Sequence, residues 1–286
     1  MRFPTPALFA LLMCPVVGMG QTLSNPESVE FHARLNRTLI SSTNNGTIVA
    51  RDANGTLSLF SSAPTSPYGI ELLAGTLFVL DSGRVKGYDI DSAAEVMNLQ
   101  LTGASFLNGI TSNGTDTLYV SDLSAKNLYI IDVADLAAPS QSAPISTGTS
   151  TPNGLVFDRI GQRVLVATWG SNAKILGLDL TPGATPGALI NTTLTNIDGI
   201  ALDCNGAIVV AAWSNCGASG GCLRRFEPPF TLTSTAQVVT NGLANPADID
   251  YDWVSGNIGV PQTSNNTVSF HASGCEPAMF ASDFER

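Results

Sequence analysis

Polar corners followed by apolar strands recur six times along this chain. The corners are Asn25-Pro26-Glu27-Ser28-Val29, Ser66-Pro67-Tyr68-Gly69-Ile70, Leu107-Asn108-Gly109-Ile110, Thr151-Pro152-Asn153-Gly154-Leu155, Ile197-Asp198-Gly199-Ile200 and Asn245-Pro246-Ala247-Asp248-Ile249. One aligned position is held in turn by Glu27, Tyr68, Asn108, Asn153, Asp198 and Ala247, at intervals of 41, 40, 45, 45 and 49 residues. A period of about 40–50 residues built from short strands marks a β-propeller blade. The fourth unit shows the internal order best: strands at 154–158, 163–168 and 173–179, then a weaker one near 188–191. Val, Ile, Leu and Thr fill these segments, and Gly and Asn punctuate them, as β-strands and tight turns require. The pattern predicts an all-β chain: a six-bladed β-propeller of four-stranded antiparallel blades around a central channel.

The third and fifth units repeat the order, with strands at 109–112, 117–121 and 127–132, and at 199–203 and 207–211. Segments 136–152 and 180–187, rich in Pro, Ser and Gly, read as excursions between blades. The last unit shows three clear strands, so its outer edge is expected from Gln21-Thr22-Leu23-Ser24, which would cover a free sheet edge. Residues 21–275 are thus assigned to one propeller, and 276–286 to a tail outside the blades.

Composition narrows the function. Charged residues are 13% of the 286, with a formal charge of −10, so no basic stripe exists to meet nucleic acid. Two histidines, His32 and His271, leave little for a His-centred triad or a multi-His zinc site. Residues 1–20 combine Arg2, an apolar stretch from Ala7 to Met19 and a small-residue end at Gly18-Met19-Gly20, the pattern of a signal peptide. That stretch is short for a membrane span and contains Pro15. The expectation is an exported monomer, periplasmic or extracellular, from a Gram-negative bacterium. Four cysteines remain after the signal, an even number that suits disulfides in an exported chain. Cys216 and Cys222 flank a short Gly-rich loop at one end of a blade, whereas Cys204 and Cys275 fall at the other end. Topology therefore pairs Cys216 with Cys222 and Cys204 with Cys275.

In a propeller, the aligned corners meet at one height around the channel. Several phrases in order, Pro26-Glu27-Ser28-Val29, Phe106-Leu107-Asn108-Gly109, Pro152-Asn153-Gly154-Leu155, Ala167-Thr168-Trp169-Gly170, Asp198-Gly199-Ile200 and Ala247-Asp248-Ile249-Asp250, resemble the SMP-30/gluconolactonase/LRE-like family of six-bladed propellers over residues 25–272. The resemblance implies a divalent metal, usually calcium, held by Glu27, Asn153 and Asp198. Two carboxylates and an amide oxygen are hard ligands of the kind Ca²⁺ takes. It further implies hydrolysis of a lactone or related ester, with Asp198 as both ligand and general base and Asn108 orienting a small-molecule substrate. Sugar lactonases of this kind often carry Asn-Asp where this chain has Asn108-Gly109, and no arginine near that corner offers a grip on a sugar acid.

Other residues divide between structural and functional roles. Tyr68 either stacks on a ligand or packs a blade. Asp248, one place out of register, either faces the channel or ends a turn. Trp169 and Trp213, which follow equivalent second strands, either line a pocket or, as the favoured reading, pack between blades. Asp158, Asp203 and Asp252 at first-strand ends read as turn residues. The competing function is a non-catalytic propeller that binds a ligand or a protein partner, since fold alone does not choose.

Overall fold

A computed structural model describes residues 21–275, and within them the chain is a ring of six antiparallel sheets, a six-bladed β-propeller. The expected signal segment and tail lie outside the described residues. The innermost strands, in ring order, are Pro26–His32, Pro67–Leu73, Leu107–Ser112, Thr151–Asp158, Thr195–Leu202 and the short Asp250–Tyr251. Each is followed outward by hairpin-linked strands; blade four, for example, continues through Arg163–Trp169, Lys174–Asp179 and Gly187–Asn191. In blade three the 136–152 excursion supplies two short outer pieces, Ser140–Gln141 and Ile145–Ser146, that pair with the same strand. Among the described residues there is no α-helix, and none long and apolar enough to cross a membrane.

The core is distributed between blades, because each sheet buries both faces against its neighbours. Separate apolar clusters fill the seams between blades one and two, two and three, three and four, four and five, and five and six. Leu39, Val79, Val120, Val166 and Val210, all on second strands, have essentially no exposure. Burying each such side chain contributes about 1.5–3 kcal/mol.

The sixth seam, where blade six meets blade one, is closed differently. The Asp248 amide donates to the Glu27 carbonyl at 2.9 Å, Ser28 Oγ donates to Asp248 Oδ2 at 2.9 Å, and the Phe31 amide donates to Asp250 Oδ2 at 2.8 Å. Farther out, the Arg51 guanidinium lies 4.6 Å from the centre of the Phe270 ring. Gln21–Ser24 does not supply a fourth strand to blade six, whose sheet has three strands among the described residues. That segment lies instead beside blade one's own second hairpin, where the Ser24 amide donates to Ser42 Oγ and its carbonyl accepts from the Asn44 amide. Asn25 alone reaches across, its amide donating to Asn266 Oδ1 at 2.7 Å.

Both disulfides form as topology predicts. Cys216–Cys222 closes a loop on blade five, and Cys204–Cys275 ties the end of blade six to blade five.

Candidate functional site at the channel mouth

The corners acquire their orientation from an irregularity repeated in blades one to five. In each, the pairing of the inner strand with the next slips at the corner: between Pro26 and Val29, Pro67 and Ile70, Leu107 and Ile110, Pro152 and Leu155, and Ile197 and Gly199. A bulge of this kind re-aims one side chain out of the regular alternation. The side chains so turned belong to Glu27, Tyr68, Asn108, Asn153 and Asp198.

The next residue is Gly in four of the six corners, and close packing explains it. A Cβ on Gly69, Gly109, Gly154 or Gly199 would lie 2.3–2.6 Å from the carbonyl oxygen of Asn108, Asn153, Asp198 or Ala247 on the following blade. No room exists there for a side chain, so the inner ring is drawn to backbone contact around most of its circumference. At the closing seam the same position is held by Ser28 and Asp248, which spend their side chains bonding each other. Asp248 therefore occupies the glycine column and turns its side chain to Ser28 across the seam of blades six and one.

Glu27, Asn108, Asn153, Asp198 and Asp248 are all buried at this mouth. Asn153 Nδ2 donates to Asp198 Oδ1 at 2.9 Å, and Trp213 Nε1 donates to Asp198 Oδ2 at 2.9 Å, so both carboxylate oxygens are fixed. Asn108 Nδ2 reaches across to Glu27 Oε1 at 3.4 Å. These contacts orient both amides alike: the NH₂ groups face carboxylates, while Asn108 Oδ1 and Asn153 Oδ1 are buried with no hydrogen-bond donor. A buried acceptor left without a donor costs about 1–3 kcal/mol.

The carboxylates carry a matching electrostatic penalty. Burial pushes Glu27 well above the usual carboxylate range, and the charges of Asp198 and Asp248 raise it further. Burial lifts Asp198 to about 7, against the lowering effect of the bonds from Trp213 and Asn153. Asp248 is likewise held high by burial and then by the charges of Asp198, Asp250 and Glu71. Two buried amide oxygens without a donor thus stand beside mutually repelling carboxyl groups, a set of hard oxygen ligands. Among the described residues no three His, Cys, Asp or Glu side chains converge closely enough to hold an ion, so an ion here would have to draw on the amide oxygens as well. The residues present fit the divalent ion that the family resemblance implies.

Sequence reasoning left Trp213 between pocket lining and blade packing and did not foresee its bond to Asp198. It does meet Trp169 edge-on with ring centres 4.8 Å apart, but its indole N–H also anchors Asp198. The available signal was the equivalent placement of Trp169 and Trp213 at the ends of second strands, Arg163–Trp169 and Ile208–Ser214, which finish at the corner end of their blades. Tyr68 packs edge-on against Phe106 at 4.9 Å, and the Glu27 charge contributes to its raised pKa after burial. Asp158, Asp203 and Asp252 are turn residues as expected, each accepting a backbone N–H from its own turn.

A second acidic set, three residues beyond the first in the same register, lies deeper in the channel. The position reads Glu30, Glu71, Thr111, Val156, Ala201 and Asp250. Its carboxylates bind the following blade: Glu30 Oε1 accepts from the Leu72 amide at 3.1 Å, Asp250 accepts from the Phe31 amide, and Glu71 is hydrogen-bonded by the side chain and backbone of Ser112. These are inter-blade staples. They open on a cavity of about 860 Å³ at the far end of the channel, which is lined also by His32, Arg159 and Trp253.

Fold and site together define a six-bladed propeller with a carboxylate–amide ring at one mouth. Among solved structures, a gluconolactonase from Xanthomonas campestris matches with a TM-score of 0.68 at 12% identity, covering 88% of this chain and 87% of that one. A putative gluconolactonase matches at 0.66 and 15%, covering 88% and 89%. A virginiamycin B lyase from Staphylococcus aureus matches at 0.59 and 13%, covering 89% and 88%. No protein-family model and no curated protein matches the sequence. At these identities the likeness is one of fold.

Proposed function

We propose that this chain is an exported, divalent-metal-dependent hydrolase of lactones or related esters. The observation that carries the reading is the pair of orphaned amide oxygens, Asn108 Oδ1 and Asn153 Oδ1, set beside the buried carboxylates of Glu27 and Asp198. Glu27, Asn153 and Asp198 would hold the ion, and Ca²⁺ suits this all-oxygen set. When bound, the ion supplies Lewis-acid polarisation of the substrate carbonyl and charge for the developing oxyanion.

The remaining work falls to side chains. Asp198, fixed through both oxygens by Asn153 and Trp213, presents an oriented carboxylate that would take a proton from an attacking water. Asn108 Oδ1 is a free acceptor for a substrate hydroxyl. Burial and mutual repulsion set Glu27 and Asp248 against their ionised forms, a penalty that a bound cation would relieve and an anionic substrate would deepen. The gluconolactonases among the fold neighbours support a small-molecule lactone as the substrate class, and the two disulfides agree with export.

The test is metal analysis of the purified protein together with hydrolysis of a lactone and ester panel, with and without a chelator. Turnover that chelation abolishes and Ca²⁺ restores is expected, with ion binding lost in Glu27→Ala and Asp198→Ala. Ion binding unchanged in both variants would remove the site. Ion binding without turnover on the whole panel would make the protein a binding module.

A further inference from the structure

We propose that the far end of the channel is a second binding site, built for a primary amine carried on an apolar chain. This goes beyond the hydrolase reading and does not depend on it.

The inner strands finish around the cavity of about 860 Å³, and all six blades contribute to its wall. Pockets of about 300–1,000 Å³ are the usual size for small ligands. The cavity is separate from the corner end, since Glu27, Asn108, Asn153 and Asp198 are not among its lining residues.

The wall is two-faced. Blades six, one and two present Asp250, Glu30 and Glu71. Across from them, Val156 and Ile160 of blade four and Leu202 of blade five make an apolar side. Thr111 of blade three stands between the two, and it is the clearest pointer to a ligand. It is only 5% exposed, it lines the cavity, and its hydroxyl has no hydrogen-bond partner among the described residues. A buried hydroxyl left in that state is costly unless something in the cavity meets it. Glu30 offers a second open position, because Oε1 accepts from the Leu72 amide while Oε2 accepts nothing among the described residues.

The electrostatics favour a cation there. Burial pushes Glu71 and Asp250 up to about 7 and Glu30 well above the usual range, and neighbouring carboxylates add to each rise. The Arg159 charge gives Glu71 only a minor offset. A cation relieves this penalty and an anion deepens it. A bare metal ion is poorly matched, because among the described residues no three such acids converge closely enough to hold one. An ammonium group bonds oxygens at about 2.7–2.9 Å, against about 2.3–2.6 Å for Ca²⁺, so it tolerates a wider ring. Its three N–H donors match Glu30 Oε2, Glu71 and the Thr111 hydroxyl, and its chain would lie along Val156, Leu202 and Ile160.

The experiment titrates hexylamine, hexanol and hexanoate into the full chain at pH 7, with Ca²⁺ in excess, by isothermal calorimetry. Hexylamine is expected to bind at one site, at least tenfold tighter than hexanol, with hexanoate weakest. From butylamine to hexylamine the affinity should rise about fourfold per methylene. Glu30→Gln and Glu71→Gln, which keep the size of the side chains, should each weaken hexylamine at least tenfold, and Thr111→Val about fivefold, with circular dichroism unchanged. The wild-type series decides the matter even if a variant fails to fold. Hexanol or hexanoate binding as tightly as hexylamine, an affinity indifferent to chain length, or no binding to the folded wild type overturns the proposal. Binding lost in Glu27→Gln but kept in Glu71→Gln would place the amine at the corner end and overturns it too.

Discussion

Asp198→Asn tests the electrostatics of the site without changing its shape. In the ion-free protein the Asp198 carboxyl is raised from 3.8 to about 7 by burial. A group whose folded pKa is raised gives its full contribution to stability below the unfolded value and loses it as pH rises through the folded value. Three pK units at 1.36 kcal/mol each amount to about 4 kcal/mol lost between pH 4 and pH 8. The amide carries no charge, so the variant escapes this loss. It keeps one acceptor where the carboxylate had two, and either the Asn153 or the Trp213 bond weakens, at about 1–2 kcal/mol. The net expectation is that Asp198→Asn is about 2 kcal/mol more stable than wild type at pH 8 without divalent ions, and equal or slightly less stable at pH 5. Urea denaturation of both proteins at the two pH values, after exhaustive dialysis against chelator, measures the difference. Adding Ca²⁺ is expected to raise the stability of the wild type, by RT ln(1 + [Ca²⁺]/Kd), and to leave the variant nearly unmoved. A variant destabilised equally at both pH values would refute the claim that a buried, destabilising charge resides on Asp198.

Three further outcomes follow from the architecture. Removing Cys204–Cys275, which spans 71 residues, is expected to cost about 4 kcal/mol by chain entropy, against about 2 for Cys216–Cys222, which spans 6, read from denaturation of the paired Cys→Ser variants. Gly154→Ala, whose Cβ would lie 2.4 Å from the Asp198 carbonyl, is expected to destabilise by about 3 kcal/mol, whereas Gly187→Ala, on an outer strand with open space around it, should be neutral or slightly stabilising in the same assay. Glu27→Gln keeps the size of the side chain and the Asn108 contact but removes a charge, so Ca²⁺ affinity by calorimetry should fall at least tenfold while the ion-free fold is retained.

The blades were legible because a half-buried strand writes its period into the chain and a bulged corner followed by Gly punctuates it. Four of the aligned corners even carry the packing reason in the letter after the site residue. Asp248 was legible in principle on the same grounds, as a carboxylate standing where the other blades demand no side chain. Trp213 was not, because its bond to Asp198 crosses from a second strand to an inner strand at the bulge, and register at a bulge is a property of the folded pair. The edge strand expected from Gln21–Ser24 failed for a related reason: a segment that short finds hydrogen bonds equally well against its own blade's hairpin, and Ser42 and Asn44 supplied them. The staples of Glu30, Glu71 and Asp250 sit in plain register three residues past the corners, yet their partners are backbone amides of other blades and, for Glu71, the Ser112 side chain as well, which no side-chain pattern announces.

The distribution of acids around the ring makes one last expectation. Glu27, Glu30, Asp248 and Asp250 all flank the seam of blades six and one, the seam closed by hydrogen bonds among polar groups where the other five hold apolar clusters. Glu27, Glu30 and Asp248 are raised well above their ordinary values, and Asp250 is pushed up to about 7, in each case chiefly by burial. Ionising them without a counter-charge therefore strains that seam above all others. A cation bound between Glu27 of blade one and Asp198 of blade five would span blade six and offset the repulsion on both of its sides. Ion removal at pH 8 should then loosen the ring locally. The amides of Asp248 and Phe31, which donate across the seam, are expected to exchange with deuterium at least tenfold faster without Ca²⁺, while the blade-four amide of Val166 changes little. Uniform loss of protection around the ring, or none at the seam, would mean that the carboxylates are not what the ion restrains.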